Sequence, residues 1–274
     1  MVMTEFNPSL NDQAAESRRQ LINQRIKLNL RIFNGFMGFL HLVQAILILY
    51  FSNTFAFPVT TSYLKLNQIT GEVAPNQVEI FQIPAGPLIA FFLFGSCLAH
   101  FTIILPRVYD WYFRNLEKHI SYIRWIEYSI TSSVMIVVIA MLCGMQDLSS
   151  LILIFSLNAM VMLCGLVMER MNQGRQKVSW LAYNLGWLAM VPVWVVVFLY
   201  FFGALASRNS IPDYVYYVII SIFVLYNIFA LNMFLQYKKI GPWTNYLFGE
   251  QFYVVLSLTA KSALAWQIFF NLLK

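Results

Sequence analysis

Residues 257–261 read Ser257-Leu258-Thr259-Ala260-Lys261 and lie inside an apolar segment that runs from about Tyr246 to Leu273. A segment of this length crosses a bilayer as a helix. Lys261 sits well inside it, too deep for its ammonium to reach either headgroup layer easily. A bare cation at that depth costs at least ~3 kcal/mol. Lys261 is therefore expected to have a partner charge, or not to be a free amine at all. An amine held in an apolar pocket is suited to condensing with an aldehyde to form a Schiff base. Ser257, one turn earlier on the same face, can hydrogen-bond that nitrogen.

The rest of the composition agrees with a membrane setting. Of 274 residues, 59% are hydrophobic and 11% charged, and the mean hydropathy is +0.65. Soluble domains carry about a quarter charged residues, so an all-α polytopic membrane protein is expected rather than a globular enzyme. The net charge of +6 would suit nucleic acid, but its distribution argues for membrane topology and no nucleic-acid partner is expected. Cys97, Cys143 and Cys164 all fall in apolar segments, so neither a disulfide framework nor a Cys/His metal site is expected.

Residues 1–28 form a polar, basic leader without a secretory-signal pattern, part of it read as a short amphipathic helix at the membrane surface. Residues 29–274 form the second unit, with seven apolar segments at about 30–52, 84–106, 119–143, 148–169, 179–203, 212–237 and 246–273. The connections are short except for 53–83. There, Thr60–Leu66 and Gln77–Ile83 alternate around Gly71 and Pro75, which predicts a β-hairpin outside the lipid. Thirteen Lys and Arg fall at one end of the segments, among them Arg18, Arg19, Arg107, Arg175 and Lys239; the other end has Lys65, Arg208 and Lys274. The basic end is expected to be cytoplasmic, so the N-terminus lies inside the cell and the C-terminus outside.

Among the acidic residues, Glu127 lies about two turns into the third segment, ~10–12 Å from its basic end. It is the natural counterion for Lys261. A structural pair with Arg124 is the alternative. Arg124, Glu127 and Thr131 share one helical face and can form one network. Glu169 and Glu250, near segment ends, are expected to be solvated. His41 in the first segment and His100 in the second lie at a depth similar to Glu127, with Ser96 one turn deeper than His100. Lone helix histidines are commonly packing residues, but here they suggest a polar, hydrated pocket beside the lysine. His119 reads as interfacial. Asn158, mid-segment, needs buried partners, while aromatics such as Trp187, Trp194 and Trp266 are more often packing or lipid-facing than part of a cofactor box.

Seven helices, a lysine in the seventh and Arg124-x-x-Glu127-x-x-x-Thr131 in the third resemble the microbial rhodopsins. Ser257 and Val138 stand where a pumping member has carboxylates, which argues against a common proton pump. The reversed topology, the Glu127 counterion, Ser257-x-x-x-Lys261, the His41/His100 pair and the long first loop together resemble the heliorhodopsins. That resemblance implies all-trans retinal in Schiff-base linkage to Lys261, with Glu127 and Ser257 around the protonated nitrogen. It implies a cavity formed by His41, His100 and Ser96 that accepts or relays the proton, with Arg124 nearby. It matches Tyr128, Thr131, Ser132, Asn158, Met162 and Trp266 to the retinal pocket. It also implies a homodimer to which the hairpin contributes. The function expected is a non-enzymatic light sensor with a slow photocycle and an unknown signalling partner. The alternatives are a light-gated proton channel or weak transporter, and a retinal-free membrane enzyme or receptor.

Overall fold

The computed structural model describes residues 10–69, 71–206 and 211–274, with side chains at Leu21 and from Gln24 onward. Residues 1–9 and the side chains of Arg18, Arg19 and Arg208, used in the basic count, lie outside that description. Apolar backbone in lipid has no solvent partner for its N–H and C=O groups, so each long apolar segment closes its own hydrogen bonds as a helix. The result is seven spans among the described residues: Gln24–Phe51, Ala85–Ile104, Tyr122–Leu142, Leu148–Met171, Leu181–Ala206, Asp213–Lys238 and Tyr246–Leu273. The helices are α1 (Leu10–Phe51), α2 (Ala85–Ile104), α3 (Pro106–Glu117), α4 (Tyr122–Leu142), α5 (Leu148–Met171), α6 (Leu181–Ala206), α7 (Asp213–Lys238) and α8 (Tyr246–Ile268). Even the shortest span, α2 with 20 residues, covers ~30 Å, the thickness of the hydrocarbon layer. The spans turn residues such as Leu153, Leu188, Leu199 and Phe202 outward, as a lipid-facing surface requires.

Two expectations need correction. The leader does not break into a separate surface helix, because α1 runs without interruption from Leu10 into the first span. The second connection is not a plain loop but holds α3. Pro106 opens α3 at its first turn, where a missing N–H costs nothing. Tyr109, Tyr112 and Leu116, at i, i+3 and i+7, then bury one face against Leu30 and Ile103. Lys27 Nζ donates to Asp110 at 2.5 Å, tying α1 to the same helix.

The hairpin forms where expected, with longer arms. Strand β1 (Ala56–Leu66) pairs antiparallel with β2 (Val73–Pro84), from Ala56 opposite Pro84 to Leu66 opposite Val73, with one irregularity at Val59/Thr60. Gly71 takes φ 71° in the turn, a conformation that favours glycine. The base of the hairpin is part of the bundle: Thr60 N–H donates to Gln146 O at 2.8 Å, and Phe57 and Val59 are buried. Its tip, including Tyr63, Leu64 and Leu66, stands exposed.

At the core, α4 contacts α2, α3, α5, α6 and α7. Close approach depends on small residues. A Cβ on Gly165 of α5 would come within 2.3 Å of the Trp125 ring, and one on Gly95 of α2 would come within 2.6 Å of Thr131 Cγ2.

Candidate functional site

The site begins with two helical repeats. Ser257 and Lys261 lie one turn apart on α8, and Glu127 and Thr131 lie one turn apart on α4, so each pair shares a face. Lys261 Nζ donates to Glu127 Oε1 at 2.9 Å and to Ser257 Oγ at 2.8 Å. The same Glu127 oxygen accepts from Ser96 Oγ of α2 at 2.6 Å and from Thr131 Oγ1 at 2.7 Å. The ammonium also lies 5.1 Å from the centre of the Tyr128 ring. Both charged side chains are nearly closed off, at 3% and 9% exposure. A buried ion pair holds together only when its remaining polar capacity is met, and here three hydroxyls meet it.

Lys261 also lines an apolar cavity together with Tyr128, Ser132, Met135, Met162, Tyr226, Phe229, Ser257 and Ala260. A larger apolar space shares Met162, Tyr226 and Phe229 with it and is also lined by Trp125, Gly165, Gly186, Tyr183 and Trp187. The two adjoin through those shared walls as one apolar, aromatic-walled slot, with a primary amine in the wall of the smaller part. Those residues fit a long polyene aldehyde: an amine for the aldehyde carbon, a carboxylate beside the nitrogen and apolar walls along the chain.

Of the residues matched to the pocket on sequence, Tyr128, Ser132 and Met162 line it. Thr131 instead serves Glu127. Asn158 braces the wall from behind, donating to Ser132 Oγ at 2.9 Å and Ser133 Oγ at 3.0 Å. Trp266 is turned away: its Nε1 donates to Gln44 Oε1 of α1 at 3.0 Å. Sequence reasoning missed Met135, Ala260, Tyr226 and Phe229. The two α7 aromatics could have been weighed like Trp187 and Trp194, but aromatic residues in a span give no sign of which face is inward. Trp194 is buried edge-on to Tyr226, with centroids 5.7 Å apart.

His41 and His100 stack with centroids 5.8 Å apart and an interplanar angle of 15°. His100 Nδ1 is 2.9 Å from Asn34 Oδ1, whereas neither nitrogen of buried His41 has a hydrogen-bond partner. A small cavity of ≈ 300 Å³ joins His100, Asn34 and Glu127 to Tyr112, Arg124 and Glu250.

Arg124 departs furthest from expectation. It does not join Glu127 and Thr131. Its Nη1 pairs with Glu250 Oε2, and its Nη2 with Glu169 Oε1 at 2.5 Å. Neither carboxylate is solvated: Glu169 is 2% and Glu250 1% exposed. Ser121 Oγ and Tyr112 OH donate to Glu250 at 2.7 and 3.0 Å. Ser121 N–H and Tyr246 OH donate to Glu169 at 2.9 and 3.1 Å. The guanidinium lies 4.1 Å from the Tyr253 ring centre. A long, planar, five-donor group reaches two carboxylates on neighbouring helices more readily than one on its own helix. Two acids near the basic ends of apolar segments, beside an arginine inside one, were the signal available.

A family model described as heliorhodopsin matches residues 30–273. Comparison with curated proteins finds no match. Several solved structures share the fold. Cyanorhodopsin from the cyanobacterium Tolypothrix sp. is 13% identical with a TM-score of 0.62, over 88% of this chain and 94% of that one. The transmembrane domain of the Salpingoeca rosetta rhodopsin phosphodiesterase is 14% identical with a TM-score of 0.63, over 93% and 87%. A light-driven proton pump from Leptosphaeria maculans is 11% identical with a TM-score of 0.58, over 86% and 92%. With nearly the whole chain matched and a buried lysine set at the head of an apolar slot, this protein belongs to the heliorhodopsin family of retinal-type photoreceptors.

Proposed function

We propose that the protein is a light sensor holding all-trans retinal on Lys261, with Glu127 as counterion, and that it does not pump ions. The observation that supports this most is Lys261 Nζ standing between Glu127 Oε1 and Ser257 Oγ where the apolar slot begins. Bound there, retinal supplies the light-driven isomerisation. Glu127 keeps a negative charge against the Lys261 nitrogen, and Ser96 and Thr131 fix which oxygen faces it. Ser257 gives the nitrogen a second partner when its bond to Glu127 is disturbed. His41 and His100, with Asn34, offer a nearby place for a proton. In this reading the basic end of the bundle faces the cytoplasm and the hairpin lies outside the cell, contributing to a homodimer. Residues 1–28 form the leader and 29–274 the retinal-binding unit, and the output passes to a signalling partner without enzymatic activity of the chain.

The distribution of polar groups argues against a pump. Between Lys261 and the hairpin end, the described spans carry no carboxylate or histidine except Asp213 at the start of α7. Met135, Ile136, Val138, Ile139 and Met141 of α4 are buried there, so a proton path would stop at one side. Expression with all-trans retinal, followed by an absorption spectrum and illuminated pH recording, tests the reading. A visible band that is lost in Lys261→Ala, with no sustained pH change, is expected. A band that survives in Lys261→Ala refutes the linkage, and a light-driven pH change removed by protonophore refutes the sensor role.

A further inference from the structure

A third space lies at the basic end of the bundle, away from the Lys261 site. It is an open concavity bounded by the α3–α4, α5–α6 and α7–α8 connections. Lys118, Arg175 and Lys239 line it, one from each connection. None of the three enters an ion pair among the described residues. The one carboxylate in the lining, Glu169, is already engaged by Arg124, Ser121 N–H and the Tyr246 hydroxyl. Gln236 also lines the cavity. It is 8% exposed, its Nε2 donates to Tyr246 O at 3.3 Å, and its Oε1 has no donor.

Topology explains basic residues in these connections, but not the convergence of three of them on one concavity. Helix termini do not balance them either. The C-termini of α5 and α7 bring roughly half a negative charge each, and the α8 N-terminus returns about half a positive charge. Like charges facing one another across a concave wall raise the local potential and attract an anion. Three cations from three directions suit a tetrahedral oxyanion with several acceptor oxygens better than a single carboxylate.

We infer that this cavity binds a phosphate group, carried either by a soluble small molecule or by a lipid headgroup. The test is calorimetric titration of sodium pyrophosphate into the full-length protein in phosphatidylcholine nanodiscs, with or without added phosphatidylinositol phosphate. Saturable binding is expected. Arg175→Gln with Lys239→Gln should weaken it roughly tenfold for each cation removed, one charge-assisted hydrogen bond apiece. Arg175→Lys should largely retain binding, and so should Arg114→Gln on α3 outside the cavity. Pyrophosphate binding unaffected by the phosphoinositide identifies a soluble ligand, and competition by it identifies a headgroup; both uphold the phosphate site. No saturable heat in either nanodisc, or equal affinity in the double Gln variant, overturns it.

Discussion

Replacing Arg124 by Met removes one guanidinium and leaves Glu169 and Glu250 facing each other without a cation. Both carboxylates are buried, and each keeps only neutral donors: Ser121 and Tyr112 for Glu250, Ser121 N–H and Tyr246 for Glu169. Removing one partner of a buried pair costs about 3–5 kcal/mol, because the remaining charge is desolvated and unmatched. That range corresponds to a roughly hundred- to several-thousand-fold loss in the ratio of folded to unfolded protein. The Met side chain fills much of the space the arginine stem occupied, so a cavity contributes little. The assay is reversible unfolding in mixed micelles titrated with SDS, followed by tryptophan fluorescence. Arg124→Met combined with Glu169→Gln and Glu250→Gln should recover most of the loss. Neutral amides still accept from the same hydroxyls, and no charge is left stranded. A single-variant cost below about 1 kcal/mol, the size of an exposed pair, would refute the buried triad. So would a triple variant no more stable than Arg124→Met.

A tag at residue 1 should be protected in intact cells while one after Lys274 is reachable from outside; the opposite labelling refutes the inward placement of the basic end. Gly95→Ala should destabilise by about 1–3 kcal/mol through overpacking against Thr131 Cγ2. Gly95→Ala with Thr131→Ser should recover part of it, because Ser keeps the hydroxyl for Glu127 and lacks that methyl, and equal melting of the two variants would contradict the contact. The Asp110 carboxyl is held below its usual range, first by the hydrogen bond from Lys27 and then by the lysine's charge. Its link between α1 and α3 is therefore present above the ordinary aspartate range and lost as pH falls through the lowered value; amide exchange in α3 should quicken there, and no more so in Asp110→Asn.

The seven spans were readable because lipid leaves an apolar segment no other way to satisfy its backbone. The Lys261–Ser257 spacing and the lone mid-span Glu127 were readable for the complementary reason, that polar groups at that depth are costly enough to need partners. The same reasoning faltered where cost alone does not decide. Glu169 and Glu250 lie close enough to segment ends to be solvated, and only the position of Arg124 between α5 and α8 shows that they turn inward. Helix α3 escaped because it is only 12 residues long and mixes charges with its apolar positions, though Tyr109, Tyr112 and Leu116 carry a helical period. The slot residues Tyr226 and Phe229 escaped because, in a bilayer, inward and outward faces are both apolar and the periodicity that marks a soluble helix is absent. Trp266, matched to the pocket only through the resemblance, bonds to Gln44 of α1 and lines neither part of the slot.

Arg124 and Glu127 are three residues apart on α4 and border one small cavity, yet they belong to different networks. Tyr253 underlies the guanidinium at 4.1 Å, and Trp125 lies 4.7 Å from it. Tyr253 in turn offers its carbonyl to the Tyr128 hydroxyl at 2.8 Å, and the Tyr128 ring faces the Lys261 ammonium at 5.1 Å. The two charge clusters thus make no ion pair with each other but share Tyr128 and Tyr253 as a common wall. A change of charge at Lys261 alters the cation–π attraction on Tyr128, and a shift of that ring bears on the Tyr253 backbone that also positions the ring under Arg124. Glu169, the far arm of the triad, lines the cavity at the basic end. A side-chain route therefore exists from the amine to that surface without any titratable group in between having to give up a proton. In the light-sensor role proposed above, what crosses the bundle is a change of packing and not an ion.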